Sequence, residues 1–245
     1  MKHAWQWLKS LYFIIQMYLS MAVLALVFFP FTLIDKKYAF KAIHVYTNHV
    51  RWLARVIVGL RSEIRGEVPD GEVIVAAKHQ SFFDILLIVS VLPRPKFIMK
   101  KQIKWTPIVG YFAKAINCVP VDRGKRGAAI RKMVRDVADG RTDPGQLVIF
   151  PQGTRVAAGA KKPYKIGTGV LYEQTGQPVV PAGTNVGVFW KRHGIMRYPG
   201  LAVVEFLPPI EPGKKIEQMM AEMEEAVETS SNALMAEAGF ELPKD

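Results

Sequence analysis

The sequence predicts an α/β fold, a mixed central sheet flanked by helices, carrying an N-terminal hydrophobic helical membrane anchor. Three observations carry this. No charged residue occurs from Ser10 to Ile34, short β-branched runs then alternate with helical stretches, and two motifs rich in loop-forming residues each follow a strand-like run. Residues 1–62 are read as anchoring helices and 63–245 as the globular domain.

The apolar run from Leu11 to Phe29 is long enough to cross a hydrocarbon core of about 30 Å. It exceeds the apolar stretch of a signal peptide, and no Ala-x-Ala-like site follows it. Lys2 and Lys9 precede it, and Lys36, Lys37 and Lys41 follow. From Ala39 to Leu60, apolar residues recur at helical spacing with Lys41, Arg51 and Arg55 among them, as in a basic amphipathic helix on a membrane surface. The two helices either cross the bilayer or form a hairpin that dips into one leaflet; if the first crosses, the heavier basic flank after it places the globular domain on the cytoplasmic side.

Strands are expected at 72–77, 96–100, 116–121, 146–150, 179–182 and 201–206. Helices are expected from Phe82 to about Leu92 and over 127–138, 165–174 and 216–238. The sequence shows no internal repeat and leaves the strand order open.

The most informative segment is Lys78-His79-Gln80-Ser81-Phe82-Phe83-Asp84, which leaves a strand and opens a helix. Loops at the carboxyl ends of strands gather ligands in α/β sheets. Asp84, in the first helical turn, can accept a hydrogen bond from His79 and fix its tautomer, making a general base without a protein nucleophile. The same spacing also serves a helix cap, with Ser81 as cap and Asp84 as its returning acid, and the two roles are compatible. The second segment, Phe150-Pro151-Gln152-Gly153-Thr154-Arg155, leaves another strand into a tight turn, where Arg155 offers a planar fork for a phosphate.

Together and in this order, the His-x-x-x-x-Asp motif and the Phe-Pro-x-Gly-Thr-Arg loop resemble the glycerolipid acyltransferases, in particular the bacterial 1-acylglycerol-3-phosphate acyltransferases. Lys101-Gln102-Ile103 with Pro107, Gly110 and Val121-Asp122-Arg123 is similar to a further block of that family, as is Val179-Val180-Pro181-Ala182-Gly183-Thr184-Asn185. The resemblance covers roughly residues 70 to 210. It implies a fatty acyl transfer from an acyl thioester, acyl-coenzyme A or acyl carrier protein, to the sn-2 hydroxyl of 1-acyl-sn-glycerol-3-phosphate. The product is phosphatidic acid, an intermediate of phospholipid biosynthesis. His79 is then the base and Asp84 its orienter. Lys101, Arg123, Gln152, Gly153, Thr154 and Arg155 bind substrate, and the enzyme sits in a bacterial inner membrane facing the cytoplasm. The family usually has Glu at the place of Gln152; Gln can hold a hydroxyl or carbonyl but cannot act as a base. Other acceptors, such as glycerol 3-phosphate or a lyso-aminolipid, and a non-catalytic lipid-binding role are the competing expectations.

Composition narrows the field further. A formal net charge of +12 suits anionic lipid, phosphorylated substrate or an acidic carrier protein. The basic residues are scattered and no recognition module is visible, so no nucleic-acid partner is expected. Cys118 is the single cysteine, which excludes an intrachain disulfide, and its apolar surroundings in the sequence mark it as a core residue. His44 and His49 lack metal-pair spacing, and Gly167-Thr168-Gly169 lacks the third glycine and preceding strand of a dinucleotide loop, so neither metal nor cofactor is expected.

Overall fold

The computed structural model describes residues 2–121 and 144–243, the side chains of Lys2, Lys100, Lys101, Pro120 and Val121 excepted. The helix expected at 127–138 lies outside the described residues. Within them, seven strands form one sheet: β1 (Leu60–Arg65), β2 (Ile74–Ala77), β3 (Lys96–Lys100), β4 (Val119–Val121), β5 (Leu147–Ile149), β6 (Val179–Thr184) and β7 (Gly200–Phe206). Their spatial order is β1-β7-β6-β2-β5-β3-β4. All neighbouring pairs are parallel except β6 with β7, which makes the sheet mixed.

Side chains alternate across the pleat and thereby sort the core into two layers. Ile74, Ala76, Leu147 and Val179 face α5 (Gly167–Thr175) and α7 (Ile216–Glu237), meeting Leu171, Met219, Met223 and Val227. Val75, Ala77, Val148, Val180 and Ala182 face the other way, onto α3 (Phe83–Val89) and the N-terminal helices. This parity continues past the end of β2. It sends the side chain of Lys78 toward α7 and that of His79 toward α3.

The N-terminal helices α1 (Lys2–Ile34) and α2 (Lys37–Leu53) form a hairpin turned by Asp35 and Lys36. A π-helical segment (Ala54–Val58) extends α2, and Gly59, at φ 75°, turns the chain directly into β1. The hairpin closes on the globular domain: Gln6 Nε2 donates to the carbonyl of Val58 at 3.1 Å and to that of Arg197 at 2.7 Å. Ser10, Phe13 and Met17 are buried along the inner face of α1, and Phe13 packs edge-on against Trp190 at 5.4 Å. The opposite face is exposed and apolar along its length. Leu8, Tyr12, Ile15, Leu19, Val23 and Leu26 follow one another at three- and four-residue steps, and all are about half exposed or more.

A 3₁₀ turn (Lys101–Trp105) and the helix α4 (Pro107–Ala115) follow β3. Sequence patterning did not separate them, because nine residues give too short a period to read. The short helix α6 (Val186–Phe189) and the edge strand β1 were missed for the same reason and because Arg61, Glu63 and Arg65 interrupt the apolar residues of β1. α4 packs on the second half of α1, where the Tyr111 hydroxyl meets Thr32 Oγ1 at 2.8 Å. Gly110 is required at this junction, since a Cβ there would fall 2.4 Å from the Lys104 carbonyl oxygen.

Candidate active site

β2 and β5 are parallel neighbours with Ala76 opposite Ile149, so the segments beginning at Lys78 and Phe150 emerge side by side at one edge of the sheet. This is where the sequence placed the chemistry. β3 lies on the far side of β5, and Lys101 follows it at the same edge.

The His79 segment is held from both faces of the sheet. Lys78 is 2% exposed and its ammonium forms an ion pair with Glu228 of α7, whose carboxylate also accepts the Tyr164 hydroxyl at 2.9 Å. Burial and the Glu228 charge together hold the Tyr164 phenol well above its usual pKa. Gln80 is fully buried and its side-chain oxygen accepts the Gly187 amide at 2.9 Å. With both neighbours turned inward, His79 is the partly exposed side chain of the trio, at 12%.

Asp84 has no exposed surface, yet both its oxygens are engaged. One oxygen lies 2.9 Å from His79 Nδ1, and the other accepts the backbone amides of Gln80 at 2.8 Å and Ser81 at 2.7 Å. A carboxylate can only accept, so Nδ1 carries the hydrogen and Nε2 is left bare. The N-cap of α3 is Phe82, which makes no side-chain cap hydrogen bond; Ser81, the expected cap, stands one residue earlier, where its Oγ accepts the Phe83 amide at 3.3 Å while Asp84 reaches back to the Ser81 amide. One carboxylate thus both ties down the start of α3 and contacts the imidazole.

The second motif fixes the ring from the other side. Phe150 stacks on the His79 imidazole with centroids 4.0 Å apart and planes at 21°, and the Val156 amide donates to the His79 carbonyl at 2.7 Å. Between them the chain makes a tight turn in which the Gly153 amide donates to the Phe150 carbonyl at 2.8 Å. Gly153 adopts φ 69°, so glycine is needed for the turn, and the flexible end of Lys165 lies over it, with Nζ 2.8 Å from where a Cβ would fall. Gln152 is 1% exposed; its amide nitrogen donates to the Lys162 carbonyl at 3.2 Å, and its buried side-chain oxygen has no partner among the described residues. Thr154 is partly exposed at the turn.

Arg155 is partly exposed and donates through Nη1 to the Arg192 carbonyl at 3.2 Å; Arg192 Nη1 returns the bond to the Arg155 carbonyl at 3.2 Å. The structure therefore brings His79, Asp84, Gln152, Gly153, Thr154 and Arg155 together, with Lys101 at the same sheet edge. Arg123 lies outside the described residues. Sequence reading missed two nearby cations, Lys165 and Arg192. The density of basic residues around the second motif was a signal for both, but their placement depends on tertiary folding.

A partly exposed histidine held by a fully buried carboxylate, at the carboxyl edge of an α/β sheet and beside a cationic turn, is an arrangement capable of activating a substrate hydroxyl directly, as group transfer requires. The chain belongs to the acyltransferase family, whose model matches residues 59–185, more than half of its length. It is 26% identical over 188 residues to the 1-acyl-sn-glycerol-3-phosphate acyltransferase of Pseudomonas aeruginosa, covering 76% of this chain and 73% of that one. Against the enzyme of the same name from Cocos nucifera it is 31% identical over 173 residues, covering 68% of this chain and 54% of the relative. The crystal structure of the 1-acyl-sn-glycerophosphate (LPA) acyltransferase from Thermotoga maritima superposes with a TM-score of 0.78 at 24% identity, covering 96% of this chain and 98% of that one, and so shares the fold.

Proposed function

We propose that this enzyme transfers a fatty acyl group from an acyl thioester to the sn-2 hydroxyl of 1-acyl-sn-glycerol-3-phosphate, forming phosphatidic acid. The observation that carries the reading is the 2.9 Å contact of His79 Nδ1 with the buried Asp84 carboxylate, which in the neutral imidazole leaves Nε2 free to accept a proton beside the Arg155 turn. Arg155, with Lys101 and Arg123, holds the acceptor's phosphate so that its free hydroxyl faces Nε2. Nε2 takes the hydroxyl proton as the oxygen attacks the thioester carbonyl. The Thr154 backbone amide, in the turn that Gln152 ties to Lys162, stabilises the tetrahedral oxyanion. The C–S bond then breaks, the new ester C–O bond remains, and the imidazolium returns the proton to the departing thiolate. Asp84 keeps its charge throughout and stabilises the imidazolium.

The N-terminal hairpin is the membrane anchor and residues 63–245 the catalytic domain. The start of α1 and the end of the α2 extension meet at Val58 and Arg197, and α2 with its extension carries Lys41, Arg51 and Arg55, which oppose its passage through a hydrocarbon core. This favours a dip into one leaflet, here the cytoplasmic leaflet of a bacterial inner membrane, with Leu33, Ile34 and Trp105 among the inserted residues. Acceptor and product then stay in the bilayer while the soluble donor, acyl-coenzyme A or acyl carrier protein, approaches from water. The test is acyl transfer to 1-acylglycerol-3-phosphate in detergent or vesicles with each donor; product from neither donor overturns the assignment of the acceptor.

A further inference from the structure

We propose that Arg192 is the second guanidinium of a phosphate clamp whose first is Arg155, and that the pair selects a dianionic phosphate monoester over a monoanionic diester. The inference rests on the reading of the acceptor as a phosphorylated lyso-lipid and adds a residue and a selectivity to it.

The two arginines are 37 residues apart in sequence and are locked together by reciprocal guanidinium-to-carbonyl hydrogen bonds. Each bond occupies Nη1 alone, while a guanidinium carries five N–H donors, so both forks keep most of their capacity. Neither makes an ion pair among the described residues. Their neighbours make the imbalance worse: the chain next to Arg192 supplies Lys191, and Lys165 Nζ lies beside Gly153. Between positions 144 and 200 the sequence holds seven Lys and Arg residues and one carboxylate, Glu173. Like charges held together without a counter-charge repel, and an anion between them turns that repulsion into attraction.

The pair also stands in the right place. Val156, the next residue after Arg155, donates its amide to the carbonyl of His79, so the backbone that carries Arg155 is tied directly to the segment that carries the base. A phosphate monoester carries about −1.5 to −2 charges at neutral pH and a diester about −1. A further guanidinium beside Arg155 gains more from the more highly charged monoester than from the diester, and so favours 1-acylglycerol-3-phosphate over a lysophospholipid whose phosphate bears a further headgroup.

A phosphate monoester also occurs on coenzyme A, so the test must separate acceptor from donor. Arg192→Gln retains an amide that can donate to the Arg155 carbonyl and removes the charge. The expected result is a rise of about tenfold to a hundredfold in KM for 1-acylglycerol-3-phosphate, with kcat within about threefold and KM for acyl-coenzyme A unchanged. The preference for 1-acylglycerol-3-phosphate over 1-acylglycerophosphocholine falls by the same factor, and Arg192→Lys recovers part of it. A rise confined to the donor's KM assigns Arg192 to the donor and overturns the proposal. So does a fall in thermal stability with both KM values unchanged, which would leave Arg192 a loop brace. Failure of the underlying reading looks different: wild-type enzyme then gives no product from 1-acylglycerol-3-phosphate, and the clamp falls with it.

Discussion

Replacing Asp84 by Asn keeps the shape of the side chain and removes one acceptor, and the geometry around it sets the consequence. The carboxylate receives three hydrogens, from His79 Nδ1 and from the amides of Gln80 and Ser81, and none of them can turn to water because Asp84 is fully buried. Asn has one oxygen. If that oxygen serves the two amides, its NH₂ faces Nδ1, which must give up its hydrogen, and Nε2 then carries the proton and cannot act as a base. If the amide flips, the imidazole keeps its working tautomer but two buried N–H groups lose their acceptor, at about 1–3 kcal/mol each. The inactive arrangement is therefore favoured by about 2–6 kcal/mol, which corresponds to a loss of roughly 30-fold to 10⁴-fold in active enzyme. The assay is the initial rate of acyl transfer with acceptor and donor both saturating, beside a thermal melt that shows Asp84→Asn folded. Activity within about threefold of wild type in a folded variant refutes the assignment of Asp84 as the group that sets the tautomer.

Three further outcomes follow from the structure. The Lys78–Glu228 pair is asymmetric, with side chains 1% and 30% exposed, so Glu228→Ala strands a buried cation and costs about 3 kcal/mol, whereas Lys78→Met leaves a carboxylate that water reaches and costs clearly less; comparing the two melting temperatures checks the order. Burial raises the Cys118 thiol to a pKa of about 11 from 9.0; at pH 8 its thiolate fraction is then about a hundredfold below that of an unperturbed thiol, and iodoacetamide should label it about a hundredfold more slowly in native than in unfolded protein. The same shift means that the folded state holds this proton more tightly, so stability falls as pH rises from about 9 to 11 and is indifferent to Cys118 below that window. Finally, Leu33→Glu with Ile34→Glu removes two apolar side chains that are 66% and 81% exposed at the hairpin tip, and partition into phosphatidylglycerol-containing vesicles should drop by at least about tenfold.

The contact of His79 with Asp84 and the turn that faces it were legible in the sequence because each lies within a few residues of its own chain, where spacing translates directly into geometry. Asp84 five positions after His79 is enough to place a carboxylate in the first turn of the following helix. The stacking of Phe150 on His79 was not legible, since it depends on β2 and β5 being parallel neighbours, and strand order is decided by packing across the whole sheet. Arg192 escaped for the same reason: its loop reaches Arg155 only once β6 and β7 have been laid down on the other side of β2. The long apolar run was unmistakable, but its disposition was not. That α1 buries Ser10, Phe13 and Met17 on one face and exposes Leu8, Tyr12 and Ile15 on the other follows from the domain it leans on, which no hydropathy window contains. Gln152 is a local departure whose result is readable only in three dimensions: its amide ties the turn to Lys162, and its buried oxygen has no partner among the described residues.

Proton transfer from a lyso-lipid hydroxyl to Nε2 of His79 is tested most directly by comparing wild type with His79→Ala in acyl transfer to 1-acylglycerol-3-phosphate. Wild type should form phosphatidic acid and His79→Ala should lose at least about a hundredfold in kcat, with binding of the acceptor retained. Turnover in folded His79→Ala equal to that of wild type would contradict it.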